Sequence, residues 1–124
     1  MAKILVVDDE PDVQEMIKVA LEGAGYEVIV ADNGREGVDK ARKEKPEGIV
    51  LDIMMPEMDG FTACKELKND PDTENIPILI LTGLGEKISS TRYARNMGLS
   101  LEADDFLEKP VEPDEMVKRL KEIL

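Results

Sequence analysis

The sequence predicts an α/β fold built on a parallel sheet. Short runs rich in leucine and β-branched residues recur along the chain, beginning with Ile4-Leu5-Val6-Val7. Longer amphipathic stretches alternate with them, the order expected of βα units. A polar residue stands where the apolar runs stop. Asp8 and Asp9 follow the first run, Asp52 follows Ile49-Val50-Leu51, Thr82 follows Ile78-Leu79-Ile80-Leu81, and Lys109 comes just after Phe106-Leu107. Ligands of open α/β sheets bind beyond the carboxyl ends of the strands. Three carboxylates, a hydroxyl and an ammonium are therefore expected to converge on one pocket, with chemistry suited to a divalent metal and a phosphoryl group.

The elements follow in order. Residues 3–7 form a buried strand, and Pro11 opens the next helix at a first-turn position, where its missing N–H is tolerated. Val13, Met16, Ile17, Ala20 and Leu21 share one face of that helix at core-packing spacing, and Gly23 and Gly25 end it. Residues 26–31 are the second strand. Residues 35–45 form a helix with a thin apolar stripe through Val38 and Ala41. The third strand covers 48–51, and the helix over 60–68 is built on Phe61, Cys64 and Leu67. The fourth strand covers 77–81, a more polar helix 86–97 and a short fifth strand 105–107. A last helix over 112–124 turns Met116, Val117, Leu120, Ile123 and Leu124 inward.

Composition narrows the function. The 124 residues suit a single domain over 1–124, enough to bury roughly two-thirds of the unfolded chain's surface. With 28 acidic residues against 16 basic ones, the net charge of −12 argues against direct contact with nucleic acid or an anionic membrane. No apolar stretch is long enough to span a bilayer. The Asp pair arrives too early to leave room for a signal peptide's apolar core. Cys64, the only cysteine, permits no internal disulfide. A cytoplasmic location is the expectation.

The chain has no histidine. That removes an internal imidazole base, histidine metal sites and histidine-activated nucleophiles. A phosphoryl group carried on histidine must then come from another protein. Hard oxygen ligands remain for a metal, favouring Mg²⁺ or Mn²⁺ over zinc.

Taken singly, each residue has a plainer reading. An Asp pair after a strand is commonly a solvated loop or a cap, and Thr82-Gly83 is an ordinary turn. Lys109-Pro110 suits a surface lysine before a helix, Asp59-Gly60 a turn and N-cap, and Glu10 a charge favoured by the helix dipole. Met54, Met55 and Met58 read as loop and core filling. The joint occurrence of five such residues, in order at strand ends, carries the functional reading.

The chain resembles the receiver domain of two-component response regulators from Lys3 to the final helix. The resemblance lies in Ile4-Leu5-Val6-Val7-Asp8-Asp9-Glu10, in Asp52-Ile53-Met54-Met55-Pro56-Glu57-Met58-Asp59-Gly60, in Leu81-Thr82-Gly83, and in Ala103-Asp104-Asp105-Phe106-Leu107-Glu108-Lys109-Pro110. It implies a flavodoxin-like, doubly wound five-stranded sheet of order 2-1-3-4-5 with helices on both faces, an order known from receivers themselves. It further implies that Asp52 accepts the phosphoryl group. Asp9, Asp52 and the Met54 backbone carbonyl would hold Mg²⁺ directly, with Asp8 acting largely through water. Lys109 would stabilise charge during transfer. Thr82 would move toward the new phosphoryl oxygens and Phe106 would turn inward behind it, altering the surface made by the 86–97 helix, the fifth strand and the last helix. The plainer reading of Phe106 is a permanently buried ring.

The implied partners are a sensor histidine kinase or histidine phosphotransfer protein and a downstream protein target. The chain would be a monomer or a phosphorylation-promoted dimer. It would be a signalling switch, not an enzyme, though assisting its own phosphorylation and dephosphorylation. Two features depart from the family pattern. Leu99-Ser100-Leu101-Glu102 separates Gly98 from Ala103, an apparent insertion of about one helical turn. The sequence also stops after the last helix, as in a stand-alone receiver or a domain taken from a longer protein.

Two other classes compete. A pseudo-receiver would dock a partner without phosphorylation, yet all five expected residues are present. A flavin-binding flavodoxin-like protein needs small residues and backbone N–H groups after its first strand. Asp8-Asp9-Glu10-Pro11 would repel a phosphate there.

Overall fold

The alternation of side chains along a strand divides the core into two layers. The computed structural model describes residues 2–52, 60–82, 104–108 and 112–124. In β1 (Lys3–Val7), Ile4 and Val6 belong to one layer and Leu5 and Val7 to the other, and all four are buried. Burial on both faces is why the run is continuously apolar and not alternating. β2 (Glu27–Ala31), β3 (Gly48–Asp52), β4 (Ile78–Thr82) and β5 (Asp105–Glu108) complete a parallel sheet of order β2-β1-β3-β4-β5. This is the expected flavodoxin-like arrangement.

Helices cover both faces. α1 (Pro11–Gly23) and the C-terminal helix α4 (Pro113–Ile123) place Ile17, Leu21, Met116 and Leu120 against Ile4, Val6, Val50, Leu79 and Leu81. On the other face, α2 (Gly34–Glu44) and α3 (Gly60–Asn69) bring Val38, Ala41, Ala63, Cys64 and Leu67 to Leu5, Val7, Ile49, Leu51, Ile78 and Ile80.

Local chemistry sets the helix ends. Pro11 stands in the first turn of α1 with Asp12 beside it, where the dipole favours an acid. Beyond the helix, Gly25 takes φ +96°, a left-handed conformation that glycine adopts without a Cβ clash. The Asn33 side chain accepts the Glu36 N–H at 2.8 Å. This N-cap starts α2 at Gly34, one residue earlier than the apolar stripe indicates. Leu124, expected to face inward, is 45% exposed because it lies past the last turn of α4.

The topology positions the site. From β1 the chain crosses to β2 at the edge of the sheet. From β2 it returns through α2 to β3, on the other side of β1. The direction of winding therefore reverses between β1 and β3, and a crevice opens at their carboxyl ends. Asp8 follows β1, and Asp52 is the last residue of β3. The predicted helix over 86–97 and the 99–102 segment lie outside the described residues.

Candidate functional site

Strand register brings the first acids together. Val7 is paired with Leu51, so Asp8 and Asp52 each stand one step beyond that pair on neighbouring strands. Both are shut away from solvent, at 0% and 2% exposure. The Asp8 N–H donates to the Ala31 carbonyl at 3.1 Å, and its carboxylate Oδ1 accepts the Glu10 N–H at 2.9 Å. Asp9 and Glu10 form the exposed rim. One carboxylate oxygen from each of Asp8, Asp9, Glu10 and Asp52 lies within 4.8 Å of the other three.

Such crowding is costly without a counter-charge. Two like charges about 5 Å apart repel by about 3 kcal/mol at an effective dielectric of about 20. An all-carboxylate, all-oxygen donor set matches a hard divalent cation such as Mg²⁺, with Mn²⁺ as a substitute. The residues present therefore fit the metal that the sequence implies.

The other predicted residues are placed by backbone register. Asp52 pairs with Leu81, which puts Thr82 one step further along the adjacent strand. Ile80 pairs with Phe106, and Thr82 with Glu108, the residue before Lys109. All these strands end on the same edge of the sheet as Asp8 and Asp52. Met54 and Lys109 lie outside the described residues.

Glu10 is the member that sequence reasoning assigned elsewhere. It is the N-cap residue of α1 and makes no side-chain cap hydrogen bond. Its carboxylate joins the acidic cluster. The available signal was its position directly after an Asp pair, which a helix-start charge explains equally well.

The model of the response regulator receiver domain matches residues 4–121. The chain belongs to this family. It is 43% identical over 122 residues to a probable transcriptional regulator, ycf27, of Porphyra purpurea, covering 98% of this chain and 47% of that protein. Identity is also 43% over 122 residues to the alkaline phosphatase synthesis transcriptional regulatory protein PhoP of Bacillus subtilis, covering 98% of this chain and 48% of that one. This receiver thus spans about half the length of the curated relatives it matches. Among solved structures, the chemotaxis protein CheY4 of Vibrio cholerae superimposes with a TM-score of 0.88 at 35% identity, covering 100% of this chain and 99% of that one. The receiver domain of the sensor histidine kinase PA1611 of Pseudomonas aeruginosa gives 0.85 at 27% identity, covering 98% and 96%. That domain holds a magnesium ion in its active-site cleft. Receivers are signalling switches of two-component systems. No helix among the described residues of this one is long and apolar enough to cross a membrane.

Proposed function

We propose that this receiver accepts a phosphoryl group on Asp52 from a phosphohistidine of a sensor histidine kinase or histidine phosphotransfer protein. The observation that carries the reading is the gathering of the Asp8, Asp9, Glu10 and Asp52 carboxylates within 4.8 Å at the point where the sheet reverses its winding. Asp9, Asp52 and the Met54 carbonyl would hold Mg²⁺, with Asp8 acting through water. When bound, the ion would offset the mutual repulsion of the carboxylates and of the incoming phosphoryl oxygens.

With a cation offsetting the neighbouring carboxylates, the Asp52 carboxylate would itself be the nucleophile, and no separate base is needed. One of its oxygens attacks phosphorus in line. The P–O bond forms as the P–N bond to the partner's imidazole breaks, and the imidazole nitrogen keeps the electron pair and takes up a proton. Lys109 balances charge on the equatorial oxygens. Attack of water on phosphorus later releases inorganic phosphate and restores the carboxylate. The Thr82 hydroxyl donates to the new phosphoryl oxygens and Phe106 follows it inward, changing the surface offered to a downstream protein target. A cytoplasmic setting belongs to the same reading, as does a receiver that is a monomer or a phosphorylation-promoted dimer.

Intact-protein mass spectrometry after incubation with acetyl phosphate tests it without a kinase. A gain of one phosphoryl group that requires Mg²⁺ and is lost in Asp52→Asn is the expected result. No gain, together with no Mg²⁺ binding, would instead favour the phosphorylation-independent docking module.

A further inference from the structure

We infer that Gln14 is a positioning residue for the acidic site: its side-chain amide sets the orientation of the peptide joining Asp8 to Asp9. This rests on the reading of those residues as the Mg²⁺ site.

Gln14 lies just past the first turn of α1, and its N–H closes an early helical bond to the Glu10 carbonyl at 3.0 Å. Long helical side chains lean back toward the helix N-terminus. Here that direction leads to the carboxyl ends of β1 and β2, where Val7 is paired with Ala31. The Gln14 Nε2 meets three oxygens there. The shortest contact is to the Asp8 carbonyl, the Asp32 carboxylate follows at 2.8 Å, and the Ala31 carbonyl lies at 3.3 Å.

Every one of these partners is an acceptor, so only a donor fits. That also settles which end of the amide faces them. The two amide hydrogens serve Asp8 and Asp32 first, and Ala31 takes a longer, shared contact. Ala31 already accepts the Asp8 N–H at 3.1 Å.

The consequence follows from the planarity of the peptide bond. The Asp8 carbonyl and the Asp9 N–H belong to one rigid plane. Holding that carbonyl fixes how Asp9 leaves Asp8, and hence where its carboxylate stands relative to Asp52. The Asp8 carboxylate is held independently by the Glu10 N–H at 2.9 Å. The loop is thus tied on both sides of the Asp8–Asp9 peptide. Asp32, which is exposed and not one of the clustered acids, extends the tie to the loop after β2.

Mg²⁺ titration of the folded apo protein, paired with urea unfolding in EDTA, tests the assignment. Gln14→Met keeps length and loses both donors. It should weaken Mg²⁺ binding about tenfold, the scale typical of lost outer-shell support. Asp32→Ala leaves Gln14 in place, removes one acceptor, and should weaken binding less. Val19→Gly, at an exposed position of the same helix, should lower the urea midpoint yet leave the Mg²⁺ affinity unchanged. Gln14→Arg restores donors toward the same oxygens and should recover part of the affinity. If the unmodified chain binds Mg²⁺ and Gln14→Met stays within twofold of it, the positioning role is overturned and the site reading stands. If the unmodified chain binds no Mg²⁺, both are overturned together.

Discussion

Gly37 of α2 lies directly against Val7 of β1: a Cβ at position 37 would meet Val7 Cγ2 at 2.8 Å and Cγ1 at 3.0 Å. The missing side chain is what lets α2 sit this close to the central strand. Val7 is buried, β-branched and stiff about χ1, so it cannot swing aside. Gly37→Ala should therefore destabilise the fold by about 1–2 kcal/mol, overpacking outweighing the gain in helix propensity. Urea unfolding measures this. Val7 immediately precedes Asp8, so Mg²⁺ affinity should fall as well.

Gly48 looks equally crowded but should behave differently. A Cβ there would meet Leu124 Cδ2 at 2.6 Å and Ile4 Cδ1 at 3.3 Å. Leu124 is nearly half exposed, so its side chain can turn away into solvent. The predicted cost of Gly48→Ala is below about 1 kcal/mol, and Mg²⁺ binding at the opposite end of the strand should not change. A loss equal to that of Gly37→Ala would show that Leu124 is held more firmly than its exposure indicates.

Without a counter-ion, charge crowding should make the acidic cluster a source of instability. Asp52→Asn removes one of four carboxylates and should raise the unfolding free energy in EDTA by about 1–3 kcal/mol. Added Mg²⁺ should reverse the order. At a free concentration about 100 times the dissociation constant, the unmodified chain gains about 2.7 kcal/mol, whereas Asp52→Asn gains far less. Thermal melts with and without Mg²⁺ read both effects.

Acid sensitivity should have one identifiable surface contributor. The Asp70 carboxyl is held below its ordinary value, first by the Asp72 N–H that donates to it and then by Arg42, 2.6 Å away. A carboxylate with a depressed folded-state pKa stabilises above its unfolded value and loses that contribution as pH falls through the folded value. Asp70→Asn should therefore lower the urea midpoint at neutral pH, with the difference from the unmodified chain shrinking in acid. Because Arg42 is exposed and Asp70 only partly buried, the pair is screened, and the effect should be small and weaken with salt.

The elements that bury two faces were the most legible. Ile4 through Val7 and Ile78 through Leu81 are continuous apolar runs because helices cover the sheet on both sides. The acids at their ends stand out by contrast. Boundaries were less legible. Asp52 and Thr82 are the last residues of β3 and β4 and do not lie beyond them, because a ladder continues while backbone partners remain, whatever the side chain. Thr73 shows the other limit. It is fully buried, with its hydroxyl donating to the Leu67 carbonyl at 2.6 Å, and a threonine in a polar turn carries no mark of this. The placement of Glu10 and Gln14 belongs to the same class: which oxygens they approach depends on distances between strand ends that spacing along one helix does not specify.

Phosphorylation of Asp52 would leave a chemical signature. Borohydride reduction of the acetyl-phosphate-treated protein, followed by peptide sequencing, tests it directly, because an acyl phosphate of aspartate is reduced to homoserine whereas a free carboxylate is not. Homoserine is expected at position 52, only when Mg²⁺ was present during phosphorylation. Homoserine at position 8 or 9 in its place, or phosphate incorporated with no homoserine at 52, would contradict phosphorylation of Asp52.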